Sequence, residues 1–191
     1  MRLSDLYGNS MTEREKMKDD IFFNMRCCIP CIVQSYNAGK GTIECQPAIR
    51  ERVINQNEEI EYMNLPLLTN VPVAFPSNSS YAVTFPLNKG DECLVLFSDL
   101  SIDNFWEKGN VQNPIEERRH DLSDGIAIPC NLSLTKERKT DSGLLLSSSG
   151  ASILLSGGEI YFTGGFGSVT LSQILKHVHS APNGLTTTPI W

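Results

Sequence analysis

The alternation of apolar and polar positions along this chain changes period more than once. Near the N-terminus Met17, Ile21 and Met25 recur every four residues, with Lys16, Lys18 and Asp19 between them, which is the spacing of one helical face. Ser10 followed by Glu13 supplies a capping-box signature just ahead. The pattern predicts a short helix within an N-terminal segment, residues 1–26, packing on its own domain or on a partner. From Cys27 the period drops to two. The runs "CIVQSY", "GTIECQPAI", "EIEYMNLPLL", "YAVTFP" and "ECLVLF" are rich in β-branched, aromatic and aliphatic residues, and "NAGKG", "NQNEE", "FPSNSS" and "LNKGD" punctuate them. Five strands within residues 27–100 predict an all-β barrel of the five-stranded oligomer-binding (OB) type. Pro66, Pro72, Pro76 and Pro86 fall at strand edges, where a missing amide donor is tolerated. Residues 101–140 are polar around Phe105-Trp106 and "EERRHDLSDGIAIPC", and read as a closing and linking segment.

Residues 141–176 have a different texture, "SGLLLSSSGASILLSGGEIYFTGGFGSVTLSQIL", with almost no charge. Apolar pairs two residues apart recur as Leu144/Leu146, Ile153/Leu155, Ile160/Phe162 and Val169/Leu171, which predicts strand, turn, strand, turn, each strand apolar on one face. A plain Gly/Ser linker would not carry such pairs. So thin a ribbon cannot bury its apolar face alone, and its outer strands would leave backbone groups unpaired. Several copies intertwined into a short β-helical prism, a homotrimer if the symmetry is threefold, would satisfy both needs. Residues 177–191 would then form the apex.

Composition narrows the function classes. A net charge of −6 and a pI near 5.1 argue against nucleic acid as a partner, since backbone binding needs a basic face. No secretory leader or membrane span is evident, so synthesis in a cytoplasm is expected. Six unevenly placed cysteines do not make a secreted disulfide framework, and reduced thiols are expected.

The candidate chemistry lies in "HVHSAPNG". On a strand His177 and His179 would face one side, and three chains would bring six imidazoles to a common axis. Zinc prefers four ligands, so six nitrogens favour an octahedral ion, iron ahead of zinc or nickel, at one metal ion per trimer. Such a site has no open position for substrate, and no catalytic role is expected. A metal-dependent enzyme would need a carboxylate and a further histidine after His179, and neither follows. Cys28-x-x-Cys31 lacks a second pair and reads as core thiols, His120-Asp121 as a structural hydrogen-bonding pair, and "TGGFGSV" lacks the lysine of a phosphate loop.

Taken together, "CIPCIVQSYNAGKGTIECQPAIRE", "LPLLTNVPVAFP", "YAVTFPLNKGDECLVLFSDLSIDNFW" and "RRHDLSDGIAIP" resemble, over Ile29 to Pro129, the N-terminal domain family of central spike proteins from contractile-tailed bacteriophages. The C-terminal "HVHSAPNG" is similar to the HxH apex of those spikes, which implies an iron ion on the threefold axis held by His177 and His179 of three chains. The resemblance implies an OB-fold domain seated on a baseplate hub protein and a trimeric β-helix ending in a tip that pierces the bacterial envelope. It also implies a place in the tail baseplate of a virion or phage-like particle. A short prism and the terminal Ile190-Trp191 depart from that pattern. Two other classes compete with the spike. An HxH metal enzyme would bind about one metal per chain, and a receptor- or glycan-binding tail module would bind envelope components.

Overall fold

The computed structural model describes residues 13–22, 25–136, 143–177, 180–181 and 184–185. The chain divides into two compact units, Met1–Lys136 and Glu137–Trp191, each taken by itself below. It is mostly β. No helix among the described residues is long and apolar enough to cross a membrane.

The first unit opens with helix α1, residues 13–22, where Met17, Ile21 and Phe22 are exposed. Ser10, its expected cap, lies outside the described residues. Then come β1 (Cys28–Asn37), β2 (Thr42–Pro47), β3 (Glu51–Ile54), β4 (Ile60–Met63), β5 (Leu68–Pro72), β6 (Glu92–Phe97), α2 (Asp103–Lys108), a single 3-10 turn at Leu122–Asp124, and β7 (Gly125–Pro129). Five strands form one antiparallel sheet in the order β5-β2-β1-β6-β7, and β3 and β4 make a separate hairpin. Strict alternation along β1 sends Ile29, Cys31 and Val33 inward, and Cys93, Val95 and Phe97 of β6 meet them there. Register shifts at Val33/Ser35 and Ile43/Cys45 bend β1 and β2, so the sheet curls into a half-barrel. Its edges approach through an isolated parallel bridge between Val73 and Ala127, where the Ala74 amide donates to the Ala127 carbonyl at 2.8 Å. Glycine at position 125 is a packing requirement: a Cβ there would lie 2.7 Å from Val95 Cγ1.

Three expectations change. "EIEYMNLPLL" is not one strand but β4 and β5, separated at residues 64–67, where Pro66 has no amide to donate. "YAVTFP" is loop apart from an isolated bridge of Ala82 with Ser77, held by an edge-to-face contact of Phe75 and Phe85 at 5.1 Å. The fifth strand of the main sheet is instead β7, drawn from the span 101–140.

The second unit is a four-stranded antiparallel meander of β8 (Leu144–Ser147), β9 (Ser152–Ser156), β10 (Glu159–Gly164) and β11 (Gly167–Thr170), in the order β11-β10-β9-β8. Helix α3 (Leu171–Lys176) follows, and then the two-residue strands β12 (Ser180–Ala181) and β13 (Gly184–Leu185). The strand and turn rhythm expected from the sequence is present, but the strands hydrogen-bond to one another within the chain, and the described residues form no wound β-helix. Tight turns explain the difference: Gly157 and Gly158 both adopt positive φ, which lets β9 reverse directly into β10. The last expected pair is also broken. Val169 is on β11, whereas Leu171 begins α3, because Thr170 and Gln173 form a capping box that starts a helix.

Candidate functional site

Cross-strand register arranges the apolar pairs of the second unit into two rows on one face. Leu144, Leu155 and Ile160 stand side by side in the first row, and Leu146, Ile153, Phe162 and Val169 in the second. Among the described residues of this unit no side chain is fully buried; Leu144 is 63% exposed and Leu146 53%. A shallow groove runs along the second row between Leu146, Ile153 and Phe162, with Ser147, Ser148 and Thr163 at its rim. On the other face Leu145 and Leu154 are half-buried, whereas Tyr161 is exposed. Contiguous exposed apolar surface of this kind is what a protein, membrane or ligand contact covers.

Beyond this face the chain enters α3, whose start is tied down by Glu159. Its Oε1 accepts from the amides of Ser172 and Ile160 at 3.2 and 3.0 Å, and the Ser172 hydroxyl first, then the Ile160 amide, hold the carboxyl below the usual glutamate range. His177 is the C-cap of α3, in extended conformation, with Nδ1 2.6 Å from the Ile174 carbonyl oxygen. A carbonyl only accepts, so Nδ1 donates here, which in imidazoles that bind metal is the arrangement that leaves Nε2 as the ligating nitrogen. His177 therefore suits a ligand role. His179 lies outside the described residues. Among the described residues no three His, Cys, Asp or Glu side chains gather into a metal-binding group.

The cysteines sort by strand parity. Cys28 is exposed and Cys31 buried, on opposite faces of β1, so this CxxC cannot act as one chelating or redox pair. Of the two, only Cys31 is a core thiol. It joins Cys45 and Cys93 inside the half-barrel. There the Cys45 thiol is pushed up to about 12, chiefly by its hydrogen bond with Cys31, and Cys93 is raised still more by its bond to Cys45 and by burial. Thiols so fully protonated are inert. His120 and Asp121 are structural, as expected. His120 faces the Arg26 carbonyl and the Asp99 carboxylate, each at 3.1 Å, and Asp121 accepts from the Ser123 amide at 2.8 Å to cap the 3-10 turn.

Two polar clusters escaped the sequence reading. Arg118 grips Asp124, a residue with 0% exposure, through Nε at 2.7 Å and Nη2 at 3.0 Å, and also reaches Asp103 at 2.6 Å and Glu116 at 3.0 Å. Asp124 additionally accepts from the Ile102 amide at 2.9 Å. The guanidinium is stabilised in its charged form by Asp124 first and Asp103 next. The density of charge in "EERRHDLSD" was the only available signal. In the second cluster Glu92 of β6 accepts from the Leu132 and Ser133 amides at 2.7 and 2.8 Å and from the Ser133 hydroxyl, which ties segment 130–136 to the sheet. These bonds, the Ser133 hydroxyl first, hold the Glu92 carboxyl below its ordinary value.

The family model for the phage protein Gp138 N-terminal domain matches residues 29–130, which run from the start of the sheet to just past β7. The chain belongs to this family. No curated protein matches it. Membership makes it a phage protein and points to a tail- or baseplate-associated role. The match ends before the second unit, so the two-row face and His177 lie outside the family's own domain.

Proposed function

We propose that this chain is the central spike of a contractile phage tail or a related injection particle, working as a homotrimer that punctures a bacterial envelope by stiffness, without catalysis. The observation that carries the reading is the open two-row apolar face of β8–β11 in a chain of a phage family. Four strands about 4.8 Å apart make a narrow wall roughly 15 Å tall. Three such walls, apolar rows inward, close a prism around an axis filled by their own side chains. Each chain thus supplies a wall of the prism, and closure comes from packing faces as well as from strand pairing.

The first unit supports the same reading. Its sheet order, with the parallel Val73–Ala127 bridge between the edges, is the order of an OB-type barrel, and it would be the end seated on the baseplate hub. After α3, His177 with His179 from three chains would hold one metal ion, iron ahead of zinc or nickel, stapling a tip where fraying begins. The protein would be made in the host cytoplasm and carried in the particle.

Molar mass by light scattering and metal content on one purified sample test this. Three chains with one metal are expected. A monomer without metal, a two-chain sandwich, or one metal per chain would each overturn it, the last in favour of the enzyme reading.

A further inference from the structure

We propose that α2 is a docking knob, with Phe105 and Trp106 seating in an apolar cleft of a different protein whose rim is basic. Helix α2 is six residues long and buries none of them. So short a helix does not persist unaided, and its N-cap Ile102 makes no side-chain cap bond. Yet it is held from several sides. Arg118 pairs with Asp103, the Ile102 amide donates to buried Asp124, and the Asn104 side chain donates to the Asn113 carbonyl at 2.9 Å. An ion network that fixes a helix contributing nothing to the core preserves what that helix displays. It displays Phe105 and Trp106, 57% and 51% exposed, with Val111 and Ile115 of the adjoining loop also exposed. Rigid aromatic side chains on an immobilised element lose little entropy on binding, and they dominate the energetics of protein contacts.

Charge selects the occupant. On the surface of residues 98–124 the exposed carboxylates Asp99, Glu107, Glu116 and Glu117 outnumber exposed Lys108 and Arg119. The same patch of a second copy would set like charges together, and an anionic membrane would repel this surface too. A heterologous protein with lysine and arginine around an apolar cleft has the complementary form.

The test begins with photo-reactive benzoylphenylalanine in place of Trp106 in the full chain, expressed in infected cells, and the same substitution at Tyr62 on the β3–β4 hairpin as control. Illumination at position 106 should give an adduct with a different protein through a Lys- or Arg-containing segment. That protein, purified, is the probe for binding to wild-type and variant chains. Trp106→Ala should weaken binding about thirtyfold or more and Phe105→Ala about tenfold, with thermal unfolding unchanged. Glu107→Lys with Glu117→Lys should weaken it further and flatten its salt dependence. Adducts only to other copies of this chain, no adduct at 106, or equal binding by Trp106→Ala would overturn the assignment. The result is separable from the spike reading: a monomeric, metal-free chain that still docks through Trp106 retires the spike and keeps the knob.

Discussion

Removing the Arg118 side chain should unfold the first unit from its α2 end. In Arg118→Ala the fully buried Asp124 carboxylate loses both guanidinium bonds and keeps the Ile102 amide. Breaking a buried pair from one side costs about 3–5 kcal/mol. The surviving amide bond argues for the lower end. Asp103 and Glu116 are about half exposed or more, so losing their contacts adds less than about 1 kcal/mol each. A total near 3 kcal/mol in a unit of this size lowers its melting temperature by roughly 10 °C. Calorimetry of the full chain measures it, and Asp124→Asn on the Arg118→Ala background should recover much of the loss because no unpaired charge remains. If Arg118→Ala melts within about 2 °C of wild type, or if Asp124→Asn deepens the loss, then Asp124 is better hydrated than its burial implies and the reasoning fails.

Other perturbations follow from single contacts. Gly143→Ala would drive a Cβ into the Leu155 carbonyl oxygen, so amide exchange across β8 and β9 should rise by an order of magnitude or more while the first unit is unchanged. The clasp on Glu92 depends on its charge. Its carboxyl is held below the ordinary value, so protection of amides 131–136 should be constant above about pH 4.3, fall as pH drops through the lowered value, and be weak at every pH in Glu92→Gln. His177→Ala with His179→Ala should abolish metal content while light scattering still finds three chains; monomers instead would show that the apolar walls do not hold the trimer by themselves.

Alternation made β1, β2 and β6 legible because their apolar residues face one core. The same signal misled at "YAVTFP". Tyr81, Val83 and Phe85 alternate as a strand would, but Phe85 turns to pack on Phe75 and the segment stays out of the main sheet. Strand β7 was hidden in a polar stretch, since its place depends on Gly125 fitting against Val95, a contact thirty residues distant. Arg118 was opaque for a similar reason: Asp103 and Asp124 are brought to it by the fold, with no local period to announce them. In the second unit the apolar pairs foretold the two rows, because antiparallel turns of fixed length put Leu144 beside Leu155 and Leu146 beside Ile153. What the pairs could not convey was that Thr170 stops the strand pattern and starts a helix, so that His177 leaves a helix end.

The three thiols buried inside the half-barrel bear on where the molecule can operate. Cys31, Cys45 and Cys93, sealed at 1% exposure or less, are out of reach of oxidants in solvent. Passage from a reducing interior to an oxidising exterior would leave the barrel chemically unchanged, confining any oxidation to Cys27 and Cys28 at its surface and to the half-shielded Cys130.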